Sequence, residues 1–143
     1  MEPHKYNVDL RWINDRIGEV CSPELMDSID VATPPQFPKG VEGVWSPEHF
    51  FTAALSSCFM TTFLAIAENS GLDFISFQCR AEGVLDKVEG KYQMTEVILY
   101  PILKIRNEAD REKALRILEK SDKACLISNS VKSQVSLQAE VTV

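Results

Sequence analysis

One long apolar segment, residues 46–69, constrains the fold of this chain more than any other feature. Its sequence is SPEHFFTAALSSCFMTTFLAIAEN. Ser46 is placed to cap a helix, and Pro47 occupies the first helical position, where its missing N–H costs nothing. The run Asn69-Ser70-Gly71 is typical of a helix end. The segment therefore predicts one long helix.

This helix resembles a membrane span in length, because residues 50–67 reach the lower limit for spanning, roughly 17 residues. Acidic Glu48 and Glu68 flank it, and neither side carries a basic cluster. Five hydroxyl side chains also interrupt it: Thr52, Ser56, Ser57, Thr61 and Thr62. We therefore expect a helix buried on nearly all sides at the centre of a soluble protein, and no membrane.

The remaining periodicity predicts an α+β fold in which this helix packs on antiparallel sheets. Runs of alternating apolar and polar residues predict strands, and a second amphipathic pattern after Asn107 predicts another helix. Pro101 suggests a strand edge or a bulge. The predicted strands are Tyr6–Trp12, Ser28–Ala32, Phe74–Leu85, Tyr92–Ile105 and Ser133–Val143, with turns at Ile13–Gly18 and Glu89-Gly90 and, in the third strand, Ile75, Phe77, Cys79 and Ala81 on one face.

Composition narrows the class of protein. A chain of 143 residues is about one domain, so we expect a single domain over residues 1–143. The net charge of −6 argues against a nucleic-acid groove. The N-terminus has no apolar stretch typical of a secretory signal, which favours a cytoplasmic protein with reduced thiols. Neither His4 nor His49 has a partner at metal-ligand spacing, so no metal or cofactor is predicted.

Four cysteines at positions 21, 58, 79 and 125 lack the spacing of a disulfide scaffold or a zinc site. Cys79 lies on the apolar face of its strand and is interpreted as core, and Cys21 lies in a polar loop. Cys58 sits in the middle of the apolar helix, and Cys125 continues the buried stripe of the second helix. By themselves these positions favour core packing, with a redox pair as the alternative if the two helices pack together.

Several short motifs make the chain resemble the family of osmotically inducible protein C and organic hydroperoxide resistance proteins, the OsmC/Ohr family. The resemblance runs from about Tyr6 to the C-terminus. It rests on Trp12-x3-Arg16-x-Gly18, then PPQF-x2-G, then SPEHFFTAALSSC, and finally ACLISNSVKSQV. It implies an α+β fold of the OsmC-like branch that forms intertwined homodimers.

The resemblance also implies site residues. Cys58 matches the peroxidatic cysteine and Cys125 the resolving one, while Glu48 and Arg16 match the family's glutamate and arginine. A thiolate attacks peroxide, and Cys58 is twelve residues past the helix start, too far for the helix dipole to help. A cation is therefore needed, for which Arg11 and Lys39 are rivals to Arg16.

Helix geometry adds an argument for a dimer. Ten residues of helix separate Glu48 and Cys58 by roughly 15 Å along the axis and put them on different faces. One arginine cannot easily bridge that glutamate and touch that thiolate in a straight helix. A glutamate from a partner chain could pair with an arginine that also touches the thiolate. This geometry predicts sites built at a dimer interface.

The sequence thus predicts a cysteine-based peroxidase that reduces organic hydroperoxides. Peroxide leaves a sulfenic acid on Cys58, Cys125 resolves it to a disulfide, and an external dithiol of the lipoyl or thioredoxin type restores both thiols. The alternative is a redox-sensing or small-molecule-binding stress protein of the same fold whose cysteines do not turn over.

Overall fold

The structure is a computed structural model that describes every residue from Met1 to Val143. The chain divides into two compact units, Met1–Phe50 (unit 1) and Phe51–Val143 (unit 2). The long helix α1, Pro47–Asn69, begins at the end of unit 1 and continues through unit 2.

Unit 1 contains a three-stranded antiparallel sheet in the order β1 (Asp9–Asn14), β2 (Ile17–Cys21) and β3 (Ile29–Ala32). The prediction missed β2, because its residues were divided between a turn and a polar loop. The turn is in fact tight: Asn14 pairs with Ile17, and only Asp15 and Arg16 lie between the strands. Asp15 has a positive φ of 45°, which aspartate tolerates in turns.

Unit 2 is built on the hairpin of β4 (Phe74–Val88) and β5 (Lys91–Ile105), with Glu89-Gly90 at the turn as predicted. The second helix, α2 (Arg111–Ala124), follows a 3-10 turn at Glu108–Asp110. The C-terminal segment forms two short strands, β6 (Gln134–Leu137) and β7 (Glu140–Thr142), where one was predicted. Both pair parallel to β5, because α2 carries the chain back across the sheet.

Two details of β4 and β5 correct the sequence prediction. Pro101 lies inside the central strand and not at an edge, but it falls between the segments of β5 that pair with β6 and β7, so its missing N–H interrupts no ladder. A register shift between Phe74 and Ser76 turns Ile75 outward, and Phe74 joins the inner face in its place.

The core of unit 2 lies between α1, α2 and the inner face of the sheet. Phe63 of α1 stacks on Phe77 with ring centroids 4.9 Å apart and meets Phe74 edge-on at 5.4 Å. The predicted apolar stripe of α2 is buried: Ala114, Ile117, Leu118, Ser121 and Cys125. α1 is long and apolar enough to cross a membrane by length and composition, but it serves as the core helix of this unit.

α1 is not buried on nearly all sides, contrary to the prediction. Leu55, Phe59 and Phe63 are fully enclosed, whereas Met60 and Leu64 remain about 40% exposed. Within the single chain, α1 therefore has one face in the core and one apolar face open to solvent.

Candidate functional site

Cys58 lies on the inward side of α1, between the buried side chains of Leu55 and Phe59, with 9% of its surface exposed. One turn further along, the Thr62 hydroxyl oxygen is 3.9 Å from the Cys58 sulfur. Cys58 is thus nearly, but not completely, enclosed.

Cys125 lies where α2 ends, because its extended conformation (φ −64°, ψ 114°) cannot continue the helix. The next residues fold into a tight turn held by its own backbone: the Asn129 N–H donates to the Cys125 carbonyl and the Ser130 N–H to the Ile127 carbonyl. This turn directs the Cys125 thiol and the N–H groups of Leu126 and Ile127 at the Cys58 sulfur. The structure therefore brings Cys58 and Cys125 together, both as free thiols.

The surroundings give the two thiols opposite acidities. Burial by itself raises the pKa of Cys58, but hydrogen bonds from the Cys125 thiol, the Ile127 N–H, the Thr62 hydroxyl and the Leu126 N–H outweigh it and leave the pKa lowered. The pKa of Cys125 is raised, first by burial and then by its hydrogen bond to Cys58, with Ser128 opposing in part. Cys58 is therefore the thiol that ionises first.

Sequence reasoning missed these donors. It required a cation to lower the Cys58 pKa. Two of the donors are backbone N–H groups, which no side-chain pattern identifies. Thr62 was recognisable only by its spacing of four residues from Cys58, which places both on one helix face.

The other two predicted site residues, Arg16 and Glu48, lie in unit 1. Arg16 is exposed at the β1–β2 turn, which the indole N–H of Trp12 braces by donating to the Asp15 carbonyl at 3.1 Å. Arg16 and the partly buried Glu48 both line a cleft of about 520 Å³. Most of the other lining residues are apolar, among them Leu10, Trp12, Ile17, Val31, Pro34 and Phe37.

The rival cations are placed differently. Arg11 forms a salt bridge with Glu19 across the β1–β2 pair at 3.0 Å. Lys39 lines a second, smaller cleft together with Arg16, Asp15 and Val41. Arg16 thus borders both of these clefts.

The remaining cysteines have other surroundings. Cys79 packs against the core of unit 2, as predicted, and burial raises the pKa of its thiol. Cys21 ends β2 and is partly buried. No group of three or more His, Cys, Asp or Glu side chains is arranged to hold a metal ion.

Comparison with known proteins relates this geometry to a family. The chain is 26% identical to the uncharacterized protein YmaD of Bacillus subtilis over 148 residues, covering 100% of this chain and 97% of that protein. It superposes on an OsmC-like protein of unknown function from Vibrio cholerae with a TM-score of 0.85 at 25% identity, covering 96% and 99% of the two chains.

An organic hydroperoxide resistance protein from Elizabethkingia anophelis shares the fold, with a TM-score of 0.78 at 20% identity and coverage of 99% and 97%. The family model for OsmC-like protein matches residues 40–140, a span that holds Glu48, Cys58 and Cys125. The predicted resemblance is confirmed: this chain belongs to the OsmC-like protein family.

Proposed function

We propose that this protein is a cytoplasmic, thiol-dependent peroxidase that reduces organic hydroperoxides in oxidative-stress defence. The observation that carries the proposal is the hydrogen-bonded pair of an acidified thiol, Cys58, and a second thiol, Cys125. Family membership and the name of the Elizabethkingia relative, an organic hydroperoxide resistance protein, support the substrate class.

The proposed reaction has two steps on the protein. The Cys58 thiolate attacks the terminal peroxide oxygen, so the S–O bond forms as the O–O bond breaks and the alkoxide leaves with a proton as the alcohol. Cys125 then attacks the sulfur of the sulfenic acid, which forms the disulfide and releases water. An external dithiol of the lipoyl or thioredoxin type reduces this disulfide by exchange.

We propose that Arg16 assists the first step as the cation near the thiolate, with Glu48 as its counter-charge. Arg16 and Glu48 line one cleft of the same chain, so a partner chain could supply both together. Arginine suits this task because it remains charged at any accessible pH. Arg11 is less suited, since its guanidinium is already paired with Glu19.

A homodimer is part of the proposal, and its support is the apolar surface that the single chain leaves open. Tyr6, Val8, Leu10 and Trp12 alternate along the N-terminal segment, each more than 65% exposed. In unit 2, Met60 and Leu64 of α1 are also exposed apolar residues. Sedimentation should show a stable dimer at micromolar concentration, burying on the order of 2,000 Å². A monomer under these conditions would contradict the shared site.

Peroxide consumption with a dithiol tests the function directly. Reduced protein should consume an alkyl or fatty-acid hydroperoxide about ten times faster than hydrogen peroxide, because about two buried methylenes contribute roughly 0.8 kcal/mol each. Equal rates would remove the organic-hydroperoxide assignment. Formation of one disulfide without further turnover would favour the redox-sensing alternative instead.

A further inference from the structure

Two hydroxyl groups flank the thiol pair, one at each sulfur. Thr62 lies beside Cys58, with its oxygen 3.9 Å from the sulfur. Ser128 lies beside Cys125, where both its hydroxyl and its backbone N–H act on the thiol. Neither residue belongs to the two thiols, the arginine and the glutamate on which the proposed function rests.

The orientation of Thr62 distinguishes it from three other hydroxyl side chains of α1. A threonine or serine inside a helix usually donates to a carbonyl in the preceding turn. Ser56 and Ser57 do so to the Ala53 carbonyl, at 3.2 and 2.7 Å, and Thr61 does so to the Cys58 carbonyl at 3.1 Å. The Thr62 hydroxyl is directed at the Cys58 sulfur instead.

Ser128 is unusual in a complementary way. Its hydroxyl oxygen is shut off from solvent and forms no well-aligned hydrogen bond with any protein group. A buried hydroxyl left in this state costs free energy unless a charge nearby makes use of it. The group in its vicinity that can become charged is the Cys125 thiol.

When the pair has lost one proton, the two sulfurs share the remaining one. A hydrogen can lie on Cys125 with the charge on Cys58, or the reverse, and the fixed donors around each sulfur decide the ratio. The groups that act on the pair are the hydrogen-bond donors of the 126–128 turn, Thr62, and the other thiol; no carboxylate or basic side chain is among them. Removal of any one donor should therefore change the ratio of the two protonation arrangements measurably.

We propose that Thr62 and Ser128 act as opposing positioning residues that set which of the two sulfurs carries the negative charge. Thr62 holds the charge on Cys58, the less buried of the two cysteines. Ser128 stabilises charge on Cys125, which is fully buried in the reduced protein. Once Cys58 has become a sulfenic acid, the Thr62 donor no longer faces a thiolate, and Ser128 favours ionisation of Cys125 for its attack. This order of events rests on the proposed function, but the charge balance itself does not.

Site-resolved titration tests the balance without any peroxide. Cysteine labelled with ¹³C at Cβ reports the ionisation of each thiol by NMR, and Cys21 and Cys79 serve as internal controls. In the reduced wild type, Cys58 should titrate at lower pH than Cys125. Thr62→Val keeps the shape of the side chain and removes the hydroxyl, so Cys58 should titrate at higher pH. Ser128→Ala should move Cys125 to higher pH and leave Cys58 ionised first.

Two control variants and one alkylation rate complete the test. Thr62→Ser retains the hydroxyl and should restore the wild-type titration. Thr61→Val removes a hydroxyl that bonds only the helix backbone and should change neither thiol. At a pH below the Cys58 midpoint, alkylation of Cys58 by iodoacetamide should slow about five-fold in Thr62→Val, the factor that corresponds to a hydrogen bond of about 1 kcal/mol.

The proposal is overturned if Cys58 of the Thr62→Val variant titrates as in the wild type while the amide NMR spectrum shows that the variant is folded. It is overturned equally if Ser128→Ala leaves the titration of Cys125 unchanged or moves Cys58 to higher pH. These outcomes are independent of turnover: a protein with no peroxidase activity can still show the predicted titration, and an active peroxidase can fail to show it.

Discussion

The thiol pair of unit 2 and the cleft of unit 1 are both polar sites in apolar surroundings, but they differ in exposure. Cys125 is fully buried and Cys58 nearly so, and their hydrogen-bond donors are fixed by α1 and the turn after α2. Arg16 stands exposed at a hairpin turn. Ordinary hydrogen bonds therefore suffice to separate the acidities of the two thiols, whereas the charge of Arg16 is screened by water until something covers it.

Burial decides how strongly a polar group acts on the charge of its neighbours. Arg16 can act strongly on a thiolate only after desolvation, and the exposed apolar residues of unit 1 indicate the surface that a partner chain would cover.

Replacing the proposed nucleophile should have the largest effect. Cys58→Ser should lower the rate of peroxide consumption by at least about a thousandfold, because no other group forms the covalent intermediate. Cys79→Ser is the matched control and should keep the wild-type rate.

Cys125→Ser should consume one equivalent of peroxide and then stall or over-oxidise, as mass spectrometry of Cys58 would show. Absence of a Cys58–Cys125 disulfide in oxidised wild type would exclude the two-cysteine mechanism.

Two aromatic truncations separate core from surface. Phe63→Ala should reduce the free energy of unfolding by about 3–5 kcal/mol, because the side chain is fully buried between Phe74 and Phe77. Trp12→Ala, 74% exposed in the single chain, should change it by less than about 0.5 kcal/mol if the protein is a monomer. In a dimer the same change should weaken association by about 2 kcal/mol. Urea denaturation at several protein concentrations distinguishes the two cases.

Removal of the proposed cation should have an intermediate effect. Arg16→Ala should slow the reaction of reduced protein with an organic hydroperoxide about tenfold at neutral pH, the loss expected for one charge-assisted hydrogen bond. Raising the pH should recover part of the rate by ionising Cys58. Arg11→Ala is the control and should react normally. If both variants react at the wild-type rate, the donors around Cys58 are sufficient without either cation.

The pH dependence of stability should show the smallest effect. The Cys58 pKa is lower in the folded than in the unfolded chain, so the unfolded chain holds more protons between the two values and stability rises with pH there. The Cys125 pKa is raised, so it reduces stability as pH rises above the ordinary thiol value. In Cys58→Ser, the rise of the free energy of unfolding with pH below the ordinary thiol pKa should disappear. Denaturant midpoints measured from pH 6 to 10 under reducing conditions check this, and a Cys58→Ser profile identical to the wild-type profile would contradict a lowered Cys58 pKa.

The sequence predicted the elements whose signals are local. α1 begins at Pro47 after the Ser46 cap, the hairpin turns at Glu89-Gly90, and the apolar stripe of α2 ends at Cys125, because capping, turn formation and helix periodicity each depend on a few neighbouring residues. It missed β2, the register shift that turns Ile75 outward, and the division of the last strand into β6 and β7. These features depend on pairing between distant segments, which local alternation does not record.

For the candidate site, the sequence alone identified the residues proposed to carry the chemistry, two thiols on helices that can pack together, and the motifs that place the chain in the OsmC-like family. Only the tertiary structure decided how the thiols differ. Their acidities depend on the N–H groups of Leu126 and Ile127 and on the hydroxyls of Thr62 and Ser128. Hydrogen bonds act over a few ångströms, and the turn after α2 reaches Cys58 only when the chain has folded.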